Sequence, residues 1–319
     1  EQGYNSSEIP ELIIKHNLFG TDIDERAAQI AAFVLTMKGR RKNSRFLRKG
    51  ITPNVTFYQD FEEDAKFSNA KAIGSLINVE PDEMNAFKVE TGSIYAEQQQ
   101  KLKQLYTFLG QRYDCVVTNP PYIASSRMEG TLKQYVEANY QDTKSDLFAT
   151  FIIRCMELCN ADGLTGYMTP FVWMFISSYQ KLRETIIDQH FINNLIQLEY
   201  SGFDGATVPI CTFTLRNNQI DNAKGSYIRL SDFKGSENQA PKTLEAIRNP
   251  HCGWFYTANQ NDFEKIPGGP IGYWVSLKII DIFNKNKKLN DYYFSDGPCK
   301  SGNDAKYLRF LWEISCNSI

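Results

Sequence analysis

Directly after an apolar stretch, Tyr113–Thr118 (YDCVVT), stand Asn119, Pro120, Pro121 and Tyr122. In a chain of 319 residues, average residue usage produces this tetrapeptide on the order of one time in a thousand. As a plain turn, Asn and Pro would be ordinary. A turn explains neither the tyrosine nor the position, because ligands of open parallel sheets sit beyond the carboxyl ends of the strands. The chemistry these residue types offer is acceptance of hydrogen bonds at a nitrogen. An exocyclic amine conjugated to a ring is a poor nucleophile, since its lone pair is delocalised. If the Asn119 side-chain oxygen and the Pro120 carbonyl accept its two protons, a tetrahedral nitrogen is favoured, and its lone pair can point at a sulfonium methyl. Two consecutive prolines hold that carbonyl still, which is preorganisation rather than acid–base catalysis. The Tyr122 ring offers a face to a base taken out of its stack, worth about 1–3 kcal/mol.

Strand and helix signals alternate around this motif. Asn17–Ile23 reads as a short apolar strand ending in acid, and Glu25–Lys38 as a helix with a wide apolar stripe. Val55–Phe61 and Tyr113–Thr118 read as strands, with a helix over 94–110 between them. Asp146–Cys159 is a helix apolar nearly all round. Strand 163–169, helix 177–188 and strands 192–198 and 208–215 follow. This order predicts an α/β fold: a mostly parallel sheet, helices on both faces and an antiparallel hairpin at the sheet edge. Polar, glycine-containing residues over 230–239 predict a boundary, giving a catalytic domain over 1–235 and a linker with the start of a recognition region over 236–319. Arg183 lies on a helix, where a structural ion pair is expected.

Composition excludes several classes. No stretch approaches the 18 or more apolar residues of a membrane span. The seven cysteines and three histidines have no metal-ligand spacing, so no metal is expected. Scattered, odd-numbered cysteines fit a reducing cytoplasm better than a disulfide framework. The net charge of −2 is mildly unfavourable for nucleic acid, yet Lys38–Lys49 (KGRRKNSRFLRK) is basic throughout. That run is either a solvated helix end or a phosphate-contacting patch.

NPPYIASSRM from Asn119, TKSDLFATFIIRCMEL from Thr143, GLTGYMTPFVWMFISSYQKLRETI from Gly163 and SGNDAKYLRFLWEI from Ser301 together resemble the PglX-type adenine-specific methyltransferases of BREX phage-defence systems. The NPPY motif alone also occurs in enzymes that methylate a glutamine amide or guanine N2. The resemblance implies the Rossmann-like sheet of class I methyltransferases and transfer of a methyl from S-adenosyl-L-methionine to N6 of a flipped adenine in double-stranded DNA. It implies restriction-modification or phage defence, with other defence proteins as partners, in the cytoplasm.

Residue by residue, it implies Asn119, Pro120 and Tyr122 as catalytic, with Phe203 and Tyr122 sandwiching the target base. Asp22 would bind the cofactor ribose, with Ile23 on its adenine. Asp60 and Phe61 would hold the adenine amino group and ring edge. Asp146 and Phe148 would close the cofactor pocket, although Phe148 reads equally well as core. Asp24 reads as a helix cap. The family's glycine-containing cofactor loop and first strand are not found ahead of Phe19, so the sheet is expected to lack that strand. Two other readings are a non-catalytic cofactor- or DNA-binding module and a protein glutamine N5-methyltransferase; the aromatic-rich text after residue 240 disfavours the second.

Overall fold

In the computed structural model, which describes residues 3–90, 94–200, 202, 208–287 and 291–292, the alternating sequence folds as alternating strands and helices. Helix α1 (Ile9–Leu12) runs through a π-helical turn into β1 (Phe19–Asp22). The carboxylate of Asp24 accepts from the Arg26 amide at 2.7 Å and caps α2 (Glu25–Lys42), satisfying one of the donors that a helix start leaves free. β2 (Asn54–Phe57) pairs parallel with β1. Helices α3 (Ala70–Ile73), α4 (Pro81–Ala86) and α5 (Ala96–Gly110) come next.

The second sheet has the order β3-β4-β6-β5-β7-β8. Its members are β3 (Tyr113–Thr118), β4 (Cys159–Pro170), β5 (Phe191–Gln197), β6 (Ile210–Arg216), β7 (Gly225–Arg229) and β8 (Phe255–Ala258). Helices α6 (Gly130–Asn139) and α7 (Leu147–Leu158) connect β3 to β4, and α8 (Gln180–Gln189) connects β4 to β5. β3 is parallel to β4, β6 is antiparallel to both β4 and β5, and β5 is parallel to β7. The carboxyl ends of β3, β4, β5 and β7 therefore share one edge of the sheet. Phe148, Ile152, Trp173, Leu182, Phe213 and Leu215 from both sheet and helices form the main core. A separate cluster of Tyr58, Phe67, Leu105 and Leu109 lies by β2 and α5.

One expectation changes. The antiparallel pair of β5 and β6 forms, but inside the sheet rather than at its edge, because β7 and β8 extend it further. The first compact unit runs to Trp274 and includes both of these strands. Gly225 opens β7 where a Cβ would lie 2.3 Å from the Ile192 carbonyl oxygen, so only glycine allows that approach. Helix α9 (Ser236–Arg248) links β7 to β8. The second unit begins at Val275 and contains α10 (Leu277–Lys285), with Lys285 paired to Asp281 at 2.9 Å.

Arg183, expected in an ion pair, instead donates to carbonyls. Its guanidinium, 1% exposed, reaches the Trp173 and Ile176 oxygens at 2.8 Å each and those of Gly268 and Gly269. Burial pulls its pKa down, and the peptide dipoles replace the lost water. The Pro-Gly-Gly-Pro turn at 267–270 is thereby fastened to α8.

His190 ends α8, and burial pulls its imidazole down to about 4. A depressed histidine is neutral in the folded state, while the unfolded chain takes up its proton below about 6.5. Its contribution is complete above that pH and is lost as pH falls toward 4. Urea unfolding at pH 8 and pH 5 should show a fall in stability of which about 2 kcal/mol disappears in His190→Gln. An equal pH dependence in the variant would contradict this origin.

Candidate active site

β3 delivers Asn119 to the shared carboxyl edge, and the loop after it is fixed on several sides. The Leu147 amide donates to the Ile123 carbonyl at 3.0 Å and the Ser125 amide to the Ser145 carbonyl at 3.0 Å. Ala124 and Asp146 form an isolated bridge. The loop is thus sewn to the start of α7 by backbone bonds that no side-chain change removes. The Tyr122 hydroxyl lies 2.9 Å from Asn119 Oδ1 and 2.9 Å from the Met168 carbonyl oxygen near the end of β4. The Tyr122 ring meets Phe148 edge-on, with centroids 6.3 Å apart at 88°. Phe148 is 1% exposed and belongs to the core, whereas Tyr122 is 38% exposed. The tyrosine therefore presents a ring to solvent on a rigid footing.

Asp146 caps α7, accepting from the Phe148 amide. Burial raises its carboxyl pKa, opposed by hydrogen bonds from backbone amides. Asn119, Tyr122, Asp146 and Phe148 are thus one cluster, with Phe148 serving as its support.

A second cluster lies at the end of β1. Asp22 and Ile23 are exposed, Ile23 to 59%. Asp22 Oδ1 accepts from the Asp24 amide at 2.9 Å, leaving lone pairs on the carboxylate for vicinal hydroxyls. The adjoining wall is Gly74, whose φ of +62° suits glycine and where a Cβ would stand 3.1 Å from Ile23 Cγ2. Asp60 accepts from the Lys71 amide at 2.9 Å. Phe61 is 2% exposed and packs in the core with Tyr58 and Phe67, so it turns no face outward. Phe203 lies outside the described residues.

Phe19 and Tyr113, the first residues of β1 and β3, meet edge-on with centroids 5.5 Å apart. A cleft of about 390 Å³ separates the two strands, lined by Leu18–Thr21, Cys115–Thr118 and the α7 residues Phe151, Arg154 and Cys155. No described strand fills it. The two side-chain clusters flank its carboxyl end.

Sequence reasoning missed Arg154, which is 0% exposed. It donates to the carbonyls of Ser75 at 2.8 Å and Ile77 at 2.7 Å, to Asn78 Oδ1 at 3.1 Å and to Glu157 at 3.1 Å. An arginine three residues before a glutamate in an otherwise largely apolar helix was the available signal. Its guanidinium secures the segment carrying Gly74 and Ser75, and Ser75 Oγ accepts from Tyr58 at 3.1 Å. The basic run does not join the site. α2 has 18 residues, about 27 Å at 1.5 Å per residue, and runs away from the carboxyl end of β1. Lys49 pairs there with Glu11 at 2.5 Å, and Asn43 donates to the Ser7 carbonyl. Among the described residues no group of three or more potential metal ligands forms, and no helix is long and apolar enough to cross a membrane.

The α/β fold, with the Asn-Pro-Pro-Tyr loop at the shared carboxyl edge of the larger sheet, is the Rossmann-like fold of class I methyltransferases. Residues 16–203 match the family described as Eco57I restriction-modification methylase, and the chain belongs to that family. It is 30% identical to the adenine-specific methyltransferase BrxX of Escherichia coli O9:H4 (strain HS), over 100% of this chain and 31% of that protein. It is likewise 30% identical to the adenine-specific methyltransferase PglX of Lacticaseibacillus casei (strain Zhang), over 98% of this chain and 30% of that protein. The chain thus spans about a third of the length of these relatives. The cryo-EM structure of a DrdV–DNA complex shares the fold, with a TM-score of 0.52 at 13% identity, over 85% of this chain and 27% of that one.

Arg154→Met should destabilise the protein by about 3–5 kcal/mol, because several carbonyls lose their donor together. Arg154→Lys should not restore it, since one ammonium cannot reproduce the planar fork. Urea midpoints would measure both, and a wild-type midpoint in either variant would contradict the clamp.

Proposed function

We propose that the protein transfers a methyl group from S-adenosyl-L-methionine to N6 of an adenine flipped out of double-stranded DNA, within a restriction-modification or phage-defence system. The observation that carries the reading is the Asn119–Tyr122 loop held rigidly on the carboxyl edge, beside an exposed aromatic face. The family and both relatives named as adenine-specific methyltransferases support it. Domain roles follow: the region through 235 would hold the chemistry and 236–319 would begin target recognition.

The residues at the end of β1 fit the ribose and adenine of the cofactor. Asp22 has carboxylate lone pairs for two hydroxyls, and the exposed Ile23 backed by Gly74 offers an apolar surface. Asp60 would lie toward the adenine amino group and Asp146 toward the pocket mouth. The buried Phe61 and Phe148 would act beneath those groups rather than touch a ligand. The cofactor, when bound, would supply an electrophilic sulfonium methyl. Asn119 Oδ1 and the Pro120 carbonyl would accept the two amine protons and orient the lone pair. The Tyr122 ring, with Phe203 opposite, would hold the flipped base.

Asn119→Ala should lower transfer of labelled methyl to unmethylated DNA by at least a hundred-fold, the scale of a lost preorganised polar group, with cofactor affinity nearly unchanged. Label recovered as N6-methyladenine from the variant at the wild-type rate would refute the role of Asn119. The basic run gives a second test. Neutralising Arg40, Arg41 and Arg45 together should leave the salt dependence of DNA binding unchanged, because α2 carries them away from the site. A slope reduced by about 3 would place phosphates there after all.

A further inference from the structure

The Tyr122 hydroxyl stands 2.9 Å from two oxygens, the Met168 carbonyl and the amide atom of Asn119 assigned as Oδ1. A phenol carries one proton. Two oxygens at 2.9 Å need a proton between them, so one of these contacts would be a bare meeting of lone pairs. The Met168 carbonyl can only accept, and the proton therefore belongs to it. The remaining lone pair of Tyr122 then requires a donor. The carboxamide of Asn119 has one on its other arm, and the two arms have nearly the same shape, so the hydrogen-bond network decides between them. Turning the amide gives every contact its own proton.

We propose that Tyr122 orients Asn119 through a directed relay, Asn119 Nδ2–H to Tyr122 Oη and Tyr122 Oη–H to the Met168 carbonyl, which turns Asn119 Oδ1 toward the substrate amine. The proposal rests on the amine-methylation reading above. It makes Tyr122 a positioning residue through its hydroxyl, apart from any role of its ring. The relay is anchored on β4, which is paired with β6 from Leu164 to Pro170, and the ring is held edge-on against the buried Phe148. Neither end can drift to let the amide rotate. Without the hydroxyl, Asn119 is free to present either arm, and the wrong one offers protons to an amine that must lose its own.

The test uses the protein in its natural full-length form and compares wild type, Tyr122→Phe, Asn119→Ala and Asn119→Asp. Tyr122→Phe keeps the ring. Its single-turnover rate of methyl transfer should fall about ten-fold, equivalent to about 1.4 kcal/mol, with DNA and cofactor affinities within about two-fold of wild type. In an Asn119→Asp background the added Tyr122→Phe change should cost little, because a carboxylate has two acceptor arms and nothing to orient. A readout independent of turnover is the side-chain amide of Asn119 in nitrogen–proton NMR spectra. One of its protons should be shifted downfield and exchange slowly, and should lose both properties in Tyr122→Phe. A wild-type transfer rate in Tyr122→Phe, or Asn119 amide resonances that ignore the substitution, would overturn the relay. Transfer that survives Asn119→Ala would instead overturn the underlying reading, so the two failures are distinguishable.

Discussion

Among the described residues the two sheets of the first unit share no ladder hydrogen bond, and the buried Arg154 guanidinium bridges their flanks, beside the Tyr135 and Tyr140 hydroxyls that donate to the Leu76 carbonyl. Arg154 rises from α7, which packs on the six-stranded sheet, and grips the carbonyls of Ser75 and Ile77 beside the β1–β2 pair. A charge with no exposure is costly on its own, and these acceptors together with Glu157 offset the lost water. The geometry leaves little choice, since the fork must meet oxygens at fixed places. Gly74 then sits against Ile23, and the ends of β1 and β3 face one cleft. The site exists because these two flanks are locked at that spacing.

On the other side of the cleft the same economy recurs in neutral form. The loop after β3 is tied to α7 by backbone bonds and to β4 by the Tyr122 hydroxyl. A reaction that consists of aligning an amine with a methyl demands little acid–base chemistry and much positional constraint. The polar groups offered are few, and the loop that carries Asn119 is fastened to both α7 and β4. Phe148 illustrates the division of labour. It touches no solvent, yet it fixes the ring that does.

Much of the chain was legible because its periodicities are strong. β3 matched its expected bounds, since an apolar run ending in Asn-Pro-Pro has one plausible stop. Asp24 capped its helix as an Asp before an apolar stripe should. Less was legible beyond residue 216. β7 and β8 are five and four residues long, too short for alternation to stand out, and they are strands because an existing edge receives them. Phe61 shows a different limit. An aromatic a few residues past a strand carries the same local signal whether it turns outward to a ligand or inward to Phe67, and only packing chooses.

The sequence by itself determined the Asn-Pro-Pro-Tyr loop after β3, the α/β alternation and the helix caps, because each is written in residues within one turn or one strand of each other. The tertiary structure decided which of the candidate side chains reach the surface. It buried Phe61 and Phe148, carried the basic run to the far end of α2, inserted β6 between β4 and β5 and set Tyr122 between Asn119 and Met168. Those outcomes depend on contacts between residues far apart in the chain, such as Arg154 with Ser75, 79 residues away. No local pattern records such contacts, since their free energy appears only when the whole core closes around them.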